Sequence, residues 1–226
     1  MTPRELLGTA KVPGGGEELR LFRRGRDFMI VLDRNELMSS RMSGSEIALA
    51  EMTCERLGDR RNVRILIGGY GMGFTLRAAL AALGSDAKLV VAELVPEIIE
   101  WARGPMAELM AGCLDDPRVE LIHDDVAALI AAERQTYDAI LLDVDNGPDG
   151  LTRDENDRLY SMVGLAASKR ALKPGGVLAV WSAGPDAAFS RRLADTGFIS
   201  EEVVVRARSN GAGPRHVIWF ARNGPS

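Results

Sequence analysis

Cysteine and histidine are scarce in this chain. Among 226 residues there are two of each: Cys54, Cys113, His123 and His216. Two cysteines make no disulfide framework, and with so few histidines no metal-ligand cluster forms, so no metal site is expected. Nothing local supports a catalytic Cys–His pair. There is no early apolar run of the signal-peptide kind and no stretch long and apolar enough to span a bilayer. A charge of one sign is missing as well. Lys and Arg number 28 against 32 Asp and Glu, a net charge of −4, which gives no global reason to expect nucleic acid or an anionic membrane as partner. A soluble, cytoplasmic protein is the expectation. Its 46% hydrophobic residues exclude disorder across the whole chain and suffice for one substantial core.

Glycine, by contrast, is plentiful: 24 residues, where average usage of roughly 7% gives about 16. Their placement carries the information. Residues 1–16 are polar, end in Pro13-Gly14-Gly15-Gly16 and read as a flexible leader. Residues 18–23 and 27–32 predict a β-hairpin turning at Arg24-Gly25-Arg26. Residues 33–45 read as irregular, followed by a helix over 46–57 with Ser45 as N-cap and Gly58 as stop. From Val63 onward short apolar strands alternate with amphipathic helices, the pattern of a parallel sheet with helices on both faces. Residues 202–208 and 216–222 close the chain as an antiparallel hairpin. The expected organisation is an N-terminal leader, hairpin and helix over 1–57, and one α/β domain over 58–226.

The first strand of that domain breaks into Gly68-Gly69-Tyr70-Gly71-Met72-Gly73 and then a helix. Glycines there permit positive φ and close approach of a ligand to the backbone, and the helix presents its N-terminus. A tight strand-to-helix turn alone would also use them. Twenty residues past Gly73, Glu93 ends the next strand, where a carboxylate accepts from both hydroxyls of a ribose. The dinucleotide fingerprint is not met, because its last small residue falls on Phe74. The remaining Gly69-x-Gly71-x-Gly73 spacing resembles motif I of class I S-adenosylmethionine-dependent transferases. That resemblance implies a Rossmann-like, seven-stranded, mostly parallel α/β sheet with a C-terminal antiparallel hairpin. It also implies an adenine-facing carboxylate at Asp124-Asp125, Asp125 by position, although an N-cap for the helix at 126–133 explains either residue too. Asp143 ends the strand over 137–143, outside which ligands of open α/β sheets bind.

The N-terminal hairpin, the helix from Glu46 to Met52 and the loop Asp143-Val144-Asp145-Asn146-Gly147-Pro148 resemble spermidine synthases, the polyamine aminopropyltransferases. In that family a G-G-G-D-G-G loop binds decarboxylated S-adenosylmethionine, and the first Asp of a D-x-x-D loop helps activate the attacking amine. Three departures stand out: Met72 falls where the glycine loop carries Asp, Leu49-Ala50 replace a Tyr-Gln pair, and Asn146 replaces the second loop Asp. These losses touch the donor tail and the acceptor but not the nucleoside. The expectation is therefore methyl transfer from S-adenosylmethionine to a small-molecule acceptor, an amine among the candidates. Aminopropyl transfer from the decarboxylated donor is the alternative, and a non-catalytic nucleotide-binding scaffold the third reading. The residues expected at the donor are Gly69, Tyr70, Gly71, Met72, Gly73, Glu93, Asp124, Asp125 and Asp143. Asp143 and then Asp145 are the candidate bases. Arg41, Asn146 and Trp181 are expected at the acceptor or a substrate carboxylate. A homodimer is what the resemblance implies.

Overall fold

The computed structural model describes residues 3–13, 18–144, 147–148 and 157–224. Gly14 to Gly16, Asp145 and Asn146 lie outside the described residues. Four strands, β1 (Glu5–Lys11), β2 (Glu18–Arg24), β3 (Asp27–Leu32) and β4 (Asn35–Ser39), form an antiparallel sheet in the order β1-β2-β3-β4. The predicted hairpin is thus the centre of a larger extension. The stretch read as a leader supplies β1, whose pairing slips between Leu6 and Gly8 and so hides the alternation of a strand. The stretch read as irregular supplies β4, which slips likewise against Ile30 and Val31 of β3.

The helix α1 (Gly44–Leu57) follows. It starts two residues earlier than expected, and Ser45 is not its cap: Ser43 takes that position and Ser45 is buried in the first turn. Beyond it come β5 (Arg64–Gly68), α2 (Phe74–Ala82), β6 (Lys88–Ala92), α3 (Pro96–Arg103), α4 (Ala107–Met110), a 3-10 turn at Cys113–Asp115 and β7 (Val119–Ile122). The remainder is α5 (Val126–Ala132), β8 (Tyr137–Leu142), α6 (Asp157–Tyr160), α7 (Met162–Ala171), β9 (Leu172–Ser182), α8 (Ala187–Asp195), β10 (Phe198–Arg206) and β11 (Arg215–Asn223).

The main sheet has the order β10-β11-β9-β8-β5-β6-β7. Strands β9, β8, β5, β6 and β7 are parallel, and β11 runs against both β9 and β10. Strand β8, every residue of which is buried, pairs with β5 and β9. That explains its continuous apolar run, since a central parallel strand is covered on both faces. Helix α1 packs on α2 and β9 and buries Glu46, Leu49, Ala50, Thr53 and Leu57, a stripe with the three- and four-residue spacing of one helical face. Four of these five residues suit a core; Glu46 does not.

The direction of winding reverses where β5 lies between β6 and β8. In open α/β sheets a crevice forms at that point, beyond the carboxyl ends of the strands. No described helix is long and apolar enough to cross a membrane.

Candidate active site

A cavity of about 290 Å³ opens at that crevice, with the main sheet as its floor and the N-terminal sheet as one wall. Its size is near the lower end for small-molecule sites, about 300–1,000 Å³.

The glycine loop forms one side. Gly69, Gly71 and Gly73 have φ of 85°, 53° and 65°. A Cβ on Gly69 would stand 2.6 Å from the Asp143 carbonyl oxygen, and one on Gly71 would stand 2.7 Å from the Met38 thioether. Gly69 and Gly71 face the cavity, and their lack of side chains lets β8 and β4 close around it. Three expected donor contacts are not there. Tyr70, Met72 and Gly73 do not line the cavity. The Tyr70 side chain turns into the interior, its hydroxyl 3.4 Å from the Cys113 sulfur, and Met72 is fully buried in the core. Gly73 sits behind them in left-handed conformation, starting α2 beneath the Tyr70 ring. An apolar side chain at 72 has the core as its natural place.

Glu93 follows β6 and is 5% exposed. Its Oε2 accepts the Tyr70 N–H at 2.9 Å and its Oε1 the Val95 N–H at 2.8 Å. Each oxygen retains acceptor capacity toward the cavity it lines. Burial pushes its pKa up, against the pull of backbone N–H groups from Val95, Tyr70, Gly71 and Leu94. The carboxylate therefore fastens the glycine loop to the next βα turn. After β7, Asp125 accepts the Ala127 N–H at 2.8 Å and caps α5, while Asp124 accepts the Asp125 N–H at 2.8 Å. Both aspartates border the cavity, so capping and a cavity-lining position coexist at Asp125.

The far side holds Asp143 just past β8. The Thr75 hydroxyl donates to its Oδ2 at 2.8 Å, with the Glu46 carbonyl 3.3 Å away as second acceptor. Burial pushes the Asp143 pKa up, and the Thr75 hydrogen bond opposes this. The Glu46 carboxyl, 5% exposed, is pushed up further, first by burial and then by repulsion from Asp143. Two neighbouring carboxyls in a low-dielectric site cannot both ionise cheaply, so the pair holds a proton above the ordinary carboxylate range. Behind them the Ser45 hydroxyl lies 2.7 Å from Glu46 Oε2 and 2.9 Å from His216 Nδ1. The His216 ring meets Trp181 edge-on at 4.8 Å between centroids. Trp181, on β9, lines the cavity, and among the described residues its indole nitrogen has no hydrogen-bond partner.

Arg41 does not line the cavity; it is exposed and lies 3.7 Å from Asp27 on β3. Among the described residues the lining contains no Lys or Arg but six carboxylates: Glu36, Glu46, Glu93, Asp124, Asp125 and Asp143. Sequence reading overlooked Glu36, Glu46, Thr75, Ser45 and His216. A signal existed for Glu46, a carboxylate on an otherwise buried helical stripe. None existed for His216, which joins Ser45 across 171 residues of chain. No cluster of three or more described His, Cys, Asp or Glu side chains is placed to hold a metal.

The spermine/spermidine synthase domain matches residues 46–186. Over 205 residues the chain is 30% identical to a polyamine aminopropyltransferase of Mycobacterium tuberculosis, covering 89% of this chain and 36% of that protein. Polyamine aminopropyltransferase 2 of Pseudomonas aeruginosa is 34% identical over 120 residues, covering 51% of this chain and 32% of that protein. The chain thus spans about a third of the length of these curated relatives. Putrescine N-methyltransferase 2 of Nicotiana attenuata is 35% identical over 116 residues, 51% of this chain and 29% of that protein. Among solved structures, spermidine synthase from Thermotoga maritima superposes with a TM-score of 0.77 at 21% identity, covering 98% of this chain and 74% of that one. A spermidine synthase in complex with the transition state analogue AdoDATO gives 0.76 at 21% identity, covering 98% and 73%. At that identity these structures speak for the fold alone. The expectation of methyl transfer is overturned: the match extending over most of the chain is an aminopropyltransferase, and the methyltransferase match covers half of it. Fold, matched segment and relatives agree, and the chain belongs to the spermine/spermidine synthase domain family.

Proposed function

We propose that this cavity serves aminopropyl transfer from decarboxylated S-adenosylmethionine to a small amine. The observation that carries the reading is the charge of the lining: six carboxylates and, among the described residues, no Lys or Arg. The decarboxylated donor is cationic at its sulfonium and its ammonium, and polyamine acceptors are cationic too. Full S-adenosylmethionine carries a carboxylate that this lining would repel, and Arg41, the expected partner for it, pairs with Asp27 instead.

In this reading Glu93 accepts the ribose hydroxyls, and Asp125 with Asp124 faces the base. Gly69 and Gly71 leave room for the chain bearing the sulfonium. The acceptor must present a neutral nitrogen. Its lone pair forms the new bond to the methylene carbon attached to sulfur. The carbon–sulfur bond breaks, its electrons returning to sulfur, and methylthioadenosine leaves. Asp143 and Glu46 hold the attacking nitrogen and take its proton, and their raised pKa values suit a base operating near neutrality. Orientation and exclusion of water supply the rest of the acceleration.

The test offers both donors with a panel of diamines and follows products by mass spectrometry. Methylthioadenosine together with an acceptor heavier by one aminopropyl group is the expected outcome. Formation of S-adenosylhomocysteine, or thermal stabilisation by S-adenosylmethionine exceeding that by its decarboxylated form, would refute the reading.

A further inference from the structure

Aminopropyl transfer to an amine leaves a proton to be disposed of, and the Asp143–Glu46 pair that receives it already holds one near neutrality. The pair must therefore be emptied in each turnover. We propose that Ser45 and His216 form the proton exit from Glu46, with His216 as the outer, half-buried station. The proposal rests on the function proposed above.

The geometry is a continuous chain: Glu46 Oε2 to Ser45 Oγ at 2.7 Å, then Ser45 Oγ to His216 Nδ1 at 2.9 Å. A serine hydroxyl has one hydrogen to give and room to accept another, so the chain has two consistent arrangements. With Glu46 ionised, His216 Nδ1–H donates to Ser45, and Ser45 donates to Glu46. With Glu46 protonated, Glu46 donates to Ser45, and Ser45 donates to an unprotonated Nδ1. Passing from the second to the first moves one proton from Glu46 to Ser45 and one from Ser45 to His216. The imidazolium so formed, already protonated on Nε2, releases that Nε2 proton to water, and the neutral ring then returns from the Nδ1–H to the Nε2–H tautomer by proton exchange with water, ready for the next turnover. Atoms and charge balance, and no other reactant is needed. Burial lowers the His216 pKa, so a proton that reaches the imidazole is released to water, while the raised pKa of Glu46 makes the step onto the imidazole the uphill one.

Three elements converge to build this chain. Ser45 and Glu46 occupy the first turn of α1, held by the Gly44 N–H donating to the Ala207 carbonyl at 2.8 Å. His216 stands on β11 opposite Val205 of β10, with Trp181 of β9 against its ring. The charged groups around it are Glu46 and Asp143 on the inner side, and Glu36, Glu93, Asp124 and Asp125 across the cavity. Exposed Arg215 precedes it, opposite Arg206 on β10. Ser45 has no capping role to explain its burial.

The experiment uses the full chain with decarboxylated donor and the best diamine. His216→Asn retains a hydrogen-bonding group near the Nδ1 position but carries no proton across; kcat is expected to fall at least about tenfold, with KM for the donor unchanged. His216→Ala should fall similarly and recover with added imidazole, whereas Ser45→Ala should fall without recovery. Wild-type kcat and pH profile in His216→Asn, or a loss in His216→Ala that imidazole leaves untouched, would overturn the exit. A second measurement does not depend on turnover. With His123 replaced by Asn, His216 is the sole imidazole, and its titration is followed by NMR. Glu46, with its raised pKa, stays protonated while the imidazole titrates, so the His216 ring signals should show a second, later inflection as Glu46 ionises, and Glu46→Gln should abolish it. Absence of the second inflection in the ring signals, or its persistence in Glu46→Gln, overturns the linkage. Absence of aminopropyl transfer with every amine, alongside that second inflection, would instead refute the proposed function while leaving the chain from Glu46 to His216 intact.

Discussion

Replacing Glu93 by Gln separates two roles that the structure gives one carboxylate. Both oxygens accept buried backbone N–H groups, from Tyr70 at 2.9 Å and Val95 at 2.8 Å. A glutamine has one acceptor oxygen, and its NH2 must face one of those two donors. One buried N–H is thereby orphaned, costing about 1–3 kcal/mol. For a domain of this size each kcal/mol is worth about 2–4 °C, so Tm should fall by roughly 2–12 °C. Glu93→Ala orphans both donors and should cost about 2–6 kcal/mol, a large part of the roughly 5–15 kcal/mol that holds a domain folded. The ribose diol adds a separate loss. A hydrogen bond to a charged acceptor is worth about 1.5–3 kcal/mol, so Glu93→Gln should weaken the donor about 10- to 150-fold. Denaturant titration reads the first effect, and isothermal calorimetry on the folded variant, with decarboxylated donor, the second. A lowered Tm with unchanged donor affinity would make Glu93 a fastener of the glycine loop and remove it from the nucleoside site. Unchanged values of both would refute the hydrogen-bond argument itself.

Asp143→Asn keeps the shape and the Thr75 contact but removes the base; kcat should fall about 10²–10⁴-fold with donor affinity nearly intact, checked by steady-state kinetics beside calorimetry. Glu46 and Asp143 have folded-state pKa values raised above their unfolded ones, so their contribution to stability is full below the unfolded values. It is lost as pH rises from the ordinary glutamate value of 4.5 through the raised folded values. Glu46→Gln should therefore flatten the decline of Tm with pH and stabilise the free protein on the alkaline side, a trend that thermal melts across pH would contradict by showing parallel curves. Gly69→Ala places a Cβ 2.6 Å from the Asp143 carbonyl oxygen at a φ of 85°; strain of about 1–2 kcal/mol, before the clash is relieved, should lower Tm and displace Asp143, measurable as lost turnover. A wild-type melting curve and rate would show that the close approach is not real.

The parallel sheet was legible because its strands are short apolar runs between glycines and helical stripes. The proposed donor side was legible because its residues sit at fixed offsets along βα turns: Gly69, Gly71, Glu93, Asp125 and Asp143 follow strands of one sheet and line one cavity. The proposed acceptor side was not. Ser45 matches the pattern of a helix cap, and only burial in the first turn turns it toward His216 and Glu46. Tyr70 and Met72 misled for the converse reason: adjacency to glycines places a backbone, not the direction of a side chain. Strand β1 escaped because its register slip interrupts the period on which strand recognition depends. The departures at Met72 and Leu49-Ala50 were read as lost contacts to the donor tail and the acceptor. In the fold Met72, Leu49 and Ala50 are core residues, while Glu46 on the same helix brings a carboxylate to the cavity.

Met38 lies against Gly71, and with Val12, Leu19, Ile30 and Leu32 it forms the wall that the N-terminal sheet lends to the cavity. Asp143 and Glu46, the proposed bases, reside on the other side, after β8 of the main sheet and on α1. In the proposed function, substrate choice and chemistry are thus carried by separable pieces of chain. Residues 5–39 can drift, lengthen or be exchanged for another small sheet and reshape the chamber, while the carboxylates that handle the proton keep their places. A lineage, or an engineer, can vary the acceptor without reinventing the reaction.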